Sequence, residues 1–149
     1  MINRKTEREY LADLFETNLV GTGLPLQVVY PYQTVQFAEV KALTALIVTS
    51  GGSGRDLKKT GNSGATLYFD LHVFVLFEFA DDAGNAWTEQ DAEDRLDLIE
   101  YEVAKLLQTN STSTKAYTYE TRSQTGSVVL SGEEYRREVI SVGVKLPNG

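Results

Sequence analysis

The 149-residue sequence sets 14 Lys and Arg against 21 Asp and Glu, a net charge of −7, which argues against binding nucleic-acid phosphates or an anionic membrane surface. It contains no cysteine, which removes disulfides, thiolate chemistry and cysteine metal sites and suits a reducing compartment. This length, with 42% hydrophobic and 10% aromatic residues, predicts one domain over residues 1–149 with one core, and excludes a disordered chain.

No apolar run approaches the roughly 20 residues of a membrane helix. The opening MINRKTERE is polar and charged, unlike a secretory signal. Asn3 to Leu19 reads as the first helix, capped by Asn3 or by Thr6 with Glu9 at capping-box spacing. Tyr10, Leu11, Leu14 and Phe15 form its apolar stripe, and Gly21 and Gly23 end it. The charges of Arg4, Lys5, Glu7 and Arg8 are expected to be solvated or to pair with a neighbouring subunit.

Leu26 to Tyr30 is a short strand stopped by Pro31. Val35 to Val48 reads as one long strand or two short ones, with Ala42 to Ser50 its most strand-like part. Gly51 to Ala65 (GGSGRDLKKTGNSGA) reads as a long loop joining two extended segments, so the whole is an extended hairpin. Loops of about 12–15 residues or more tend to be functional. Its glycines lack the Gly-Lys-Ser/Thr and the following helix of a phosphate loop, so ordering on a protein partner is the better reading.

Thr66 to Phe79 (TLYFDLHVFVLFEF) alternates without a break. Leu67, Phe69, Leu71, Val73, Val75, Phe77 and Phe79 face a core, while Tyr68, Asp70, His72, Phe74, Leu76 and Glu78 face the other way. At about 3.3 Å per residue it would span roughly 45 Å. Asp81 to Ala86 is a polar turn whose offsets do not match a calcium loop. Trp87 staples the entry to the second helix, Thr88 to Gln108. Thr88 caps that helix, and Glu89, Asp91, Glu93 and Asp94 lie at the positive end of its dipole. Ala92, Leu96, Ile99, Val103 and Leu106 form its buried stripe, widened by Leu98 and Leu107. Asn110 suits the left-handed position past its end. From Asp81 to Glu102 nine carboxylates stand against one cation, Arg95, so the net charge belongs to one face.

Lys115 to Thr121 reads as a strand, Arg122 to Gly126 as a turn, and Ser127 to Leu130 as a short strand. Tyr135 to Leu146 is the last strand, burying Ile140, Val142, Val144 and Leu146 and turning Arg137, Ser141 and Lys145 away. The order predicts an α+β fold: a mainly antiparallel sheet with a long projecting hairpin and both helices packed on one face. Such a sheet ends in edges that no proline or charge run blunts, so assembly is expected. The candidate subunit-interface residues are Tyr68, Phe74, Leu76, Tyr135 and Arg137.

The sequence offers one enzymatic candidate, Asp70-x-His72, in which the Asp could orient the only His as a base. No nucleophile motif accompanies the pair, and one His builds no multi-histidine metal site. No catalytic residue, metal or cofactor is therefore assigned, and Asp70 and His72 read as structural.

The succession of a short N-terminal helix, VVYPYQ (Val28 to Gln33), a hairpin with its tip between Thr49 and Ala65, a long aromatic strand, an amphipathic helix after Trp87 and closing strands resembles the tail terminator, or tail completion, proteins of long-tailed bacteriophages. The resemblance implies a virion protein, assembled in the host cytoplasm, that forms a homo-oligomeric ring of about six subunits with sheets adding edge to edge. Such a ring caps the tail tube, stops its polymerisation and joins it to the head–tail connector protein, while DNA passes through the channel without specific binding. Arg55, Lys58 and Lys59 would then dock on the tail tube protein. Two other readings stay open: another phage neck component, and a small ligand-binding domain or enzyme using Asp70 and His72.

Overall fold

In a computed structural model, which describes residues 2–33, 44–57, 64–76, 88–130 and 132–147, the alternating aromatic stretch forms the central strand of one sheet. The elements in order are α1 (Arg4–Leu19), β1 (Val28–Tyr30), β2 (Thr44–Arg55), β3 (Ala65–Leu76), α2 (Glu89–Thr109), β4 (Ala116–Tyr119), β5 (Gln124–Leu130) and β6 (Glu133–Leu146). The strands lie in the order β1-β2-β3-β6-β4, and β5 also pairs with β6. β1 runs parallel to β2, and every other pairing is antiparallel. The fold is α+β, with two helices on a six-stranded sheet among the described residues.

Register decides which side chains share a face. Leu67, Phe69, Leu71, Val73 and Val75 of β3 pair with odd-face partners such as Leu46 and Val48 of β2, and with Ile140, Val142 and Val144 of β6. Together with Leu11, Phe15 and Leu19 of α1 and Leu96, Ile99 and Val103 of α2 they form the main core. Both helices therefore cover one face. Phe69 alone, fully buried, stabilises the fold by about 1.5–3 kcal/mol through loss of contact with water.

Local chemistry sets the helix ends. Asn3, not Thr6, caps α1, its carboxamide oxygen accepting from the amides of Lys5 and Thr6 at 2.9 and 3.3 Å. Thr88 and Asp91 make a reciprocal capping box on α2. Asn110 is not left-handed (φ −97°, ψ 3°). Its side chain donates to the Leu106 carbonyl at 2.8 Å, beside its own backbone amide on the same oxygen. The fifth buried residue of α2 is Leu107 rather than Leu106, and Leu98 is exposed. On α1 the buried stripe is Leu11, Ala12, Phe15 and Leu19. Tyr10 is exposed, and the ammonium of Lys115 lies 4.1 Å from its ring centre. Glu7 and Arg8 are held within the chain. Glu7 pairs with Lys115 at 2.7 Å, and Arg8 donates to the Pro31 carbonyl and the Ser50 hydroxyl.

Two strands run further than expected. β2 continues through Gly51–Arg55, which the composition assigns to a loop. The ladder to β3 supplies the order that glycine lacks, and a bulge between Ser50 and Gly52 uses Gly52 at φ +113°. β5 begins at Gln124, in the expected turn, because β6 pairs with it from Val139 onward. β1 is shorter than expected, starting at Val28, with Leu26 joined to Val20 only by an isolated bridge.

β6 flanks the hairpin of β2 and β3 along the described length of β3, from Leu76 to Ala65. The hairpin's tip lies outside the described residues. So do residues 35–43 of the expected second strand, Lys58 and Lys59, residues 77–79, the turn over residues 81–86 and Trp87. Among the described residues no helix is long and apolar enough to cross a membrane.

Candidate functional site

The face of the sheet opposite the helices divides into an apolar half and a polar half. Around β1 and β5, Ala45, Ile47, Phe74 and Tyr135 form a second, smaller core, with Val28, Tyr30, Leu76, Val128 and Leu130 packed against it. Phe74 and Tyr135, two of the candidate interface residues, are 5% and 2% exposed and meet edge to face at 6.0 Å. They cover each other within the chain. Leu76 and Tyr68 remain half-buried and Arg137 is exposed, so these three are the candidates left at the surface.

The polar half holds Asp70 and His72, but not as a dyad. Ser141 donates its hydroxyl to Asp70 Oδ1 at 3.0 Å, and Thr49 Oγ1 lies 3.2 Å from His72 Nε2. Both partners come from flanking strands, where Thr49 faces Asp70 and Asp70 faces Ser141 in register. Burial pushes the His72 pKa down, the Asp70 charge opposes that, and Arg137 adds to it. The imidazole is thus held neutral at pH 7, knitted into the ladder rather than oriented by the carboxylate.

The helix-covered face carries an acidic group that the apolar pattern conceals. Glu138 lies opposite Val73, is 3% exposed, and accepts from the Ser123 hydroxyl at 2.6 Å. Burial raises its pKa, the Ser123 bond lowers it, and Glu100, Asp97 and Glu93 of α2 raise it further. Beside it Arg136 is held by Glu93, with guanidinium–carboxylate contacts of 2.6 and 2.8 Å. Tyr119 donates to Glu100 at 3.3 Å, and burial and that carboxylate keep its phenol protonated.

A carboxyl whose folded pKa is raised binds its proton more tightly folded than unfolded. Stability is then full below the unfolded value and falls as pH rises through the folded one. Glu138→Gln keeps the Ser123 bond and removes the charge. It should flatten the decline above pH 4.5, the ordinary value of this group. The melting temperature at pH 7 should rise by at least about 2–4 °C, what about 1 kcal/mol gives in a domain of this size. Calorimetry between acid and neutral pH checks both; a lower melting temperature at pH 7 would refute this account of Glu138.

Among the described residues the lateral borders of the sheet carry no further strand. β1 pairs only with Ala45, Leu46 and Ile47, so the outer side of β2 from Val48 to Arg55 has no strand beside it among the described residues. On the other border β4 and β5 share the outer side of β6, and neither has a further strand among the described residues. Val129 of β5 is 66% exposed. Of the candidate docking cations, Arg55 is exposed at the end of β2 and donates to the Ile2 carbonyl at 2.8 Å.

The chain matches no family model and no curated protein.

Proposed function

We propose that this chain is a structural assembly protein whose copies join through their sheet borders into a closed ring, in the manner of a phage tail terminator. The observation that carries this reading is that, among the described residues, neither border of the sheet has a further strand beside it. One is the outer side of β2 from Val48 to Arg55, the other β4 with β5. Strand directions support it. β4 and β5 run antiparallel to β6, β6 to β3 and β3 to β2, so the right border of one copy meets the left border of the next antiparallel. The helices stay on one side throughout. Joining unlike borders is a head-to-tail contact, which closes into a ring when the rotation per copy divides a full turn. The bare backbone supplies the affinity by strand addition.

In this reading the ring sits on the tail tube, ends its growth and meets the head connector. Arg55, Lys58 and Lys59 reach carboxylates of the tube. The acidic α2 lines or flanks the channel and repels DNA passing through.

Light scattering at micromolar concentration and negative-stain microscopy should give rings of one subunit number, about six on the family expectation. Reversing Lys58 and Lys59 to Glu should leave the rings intact and abolish their binding to preformed tubes. A strict monomer, or charge-reversed rings that still bind tubes, would refute the assembly or the docking assignment respectively.

A further inference from the structure

The border strand β4 has a recess beside it. Ala104, Leu107 and Gln108 of α2, with Ser111, Tyr117 and Tyr119, line an open recess of about 390 Å³ on the helix-covered side. Glu120 donates its amide inward to Ser141, so in an antiparallel ladder the amides of Tyr117 and Tyr119 turn outward. That of Tyr117 goes to Ser111 Oγ at 3.0 Å, while the Tyr117 carbonyl and the Tyr119 backbone face the open border. An incoming strand would thus bind here with an apolar side chain over the recess.

The chain carries a complement at its other border. Leu57, two residues past Arg55, is 72% exposed. Asp56 donates its amide inward to Gly64, so Arg55 and Leu57 turn their backbone outward. Arg55 lies opposite Ala65 and therefore on the helix-covered side, and period two puts Leu57 there too.

Resting on the ring reading above, we propose that Leu57 of one copy fills the α2–β4 recess of the next. Tyr117 stands level with Val144, Leu67 and Ser53 across the sheet. Setting Leu57 opposite Tyr117 shifts the neighbour by four residues, about 13 Å. An even shift keeps every side chain on its own face. It also sets Arg55 opposite Tyr119, whose hydroxyl already bonds the Glu100 carboxylate, so cation and anion meet. Closing any sheet on itself requires such a stagger.

The sequence has no cysteine, so a Leu57→Cys/Gln108→Cys variant tests the contact cleanly. Oxidation should give a ladder of covalent multimers ending at the ring number, and neither single variant should give one. Leu57→Asp should weaken assembly at least ten-fold while leaving the circular dichroism of the monomer unchanged. Rings that form but do not cross-link would overturn this contact and leave border assembly standing, the recess then belonging to another peptide. An intramolecular cross-link would overturn it in favour of the chain's own Leu57. A wild-type protein that stays monomeric would overturn the ring and this contact together.

Discussion

Replacing Phe69 by alanine is expected to cost about 3–5 kcal/mol of folding stability. The ring is fully buried at the middle of β3, between Ser50 of β2 and Val142 of β6, and beneath the helices. Ladders on both sides fix the backbone, so the sheet cannot collapse inward to fill the space. The loss therefore includes both transfer of the ring and a residual cavity. Urea unfolding should show a lower midpoint with an unchanged slope. Val129→Ala, at an exposed border position, should stay within about 0.5 kcal/mol. A Phe69→Ala protein as stable as Val129→Ala would contradict the placement of the core.

Ser53→Pro should abolish ring formation while sparing the fold of a single copy. The inner side of β2 is committed to β3, with Thr44 accepting from Gln27 on the outer side and Asp56 donating to Gly64 on the inner. Counting through the bulge at Gly52 turns the Ser53 amide outward. Proline there removes no intrachain ladder bond, and the preceding residue is glycine, with no side chain to meet the ring. Between copies it leaves a carbonyl of the neighbour unpaired, about 1–3 kcal/mol per contact. That is roughly a ten- to hundred-fold loss of affinity at each contact around the ring. Sedimentation should find monomer where the parent protein gives rings, with the same far-ultraviolet dichroism. A proline variant that still assembles would remove β2 from the interface.

What could be read beforehand was whatever depends on near neighbours in the chain. The alternation of Leu67 to Val75 announces β3 and its two faces, and the spacing of Ala92, Leu96, Ile99 and Val103 announces α2. The α+β class follows from their order. The misses lie where a distant partner decides. Gly51–Arg55 and Gln124–Gly126 have the composition of loops and are strands because β3 and β6 bond them. Thr49 beside His72 and Ser141 beside Asp70 are unions across strands, invisible without register. Glu138 was within reach, since it shares parity with Ile140 and Val142. Its charge hid it, because a carboxylate is seldom buried unless something holds it. Ser123 does so, 15 positions upstream in sequence.

β6 touches β3 along one side and both β4 and β5 along the other. Every strand it joins precedes it in the chain. During translation, then, β3, β4 and β5 leave the ribosome before the segment that unites them. The nascent chain carries an aromatic ribbon with an unsatisfied seam until Glu133–Leu146 emerges. Ribosome-bound copies stay incomplete through that interval, and the sheet can finish only once Glu133–Leu146 has emerged.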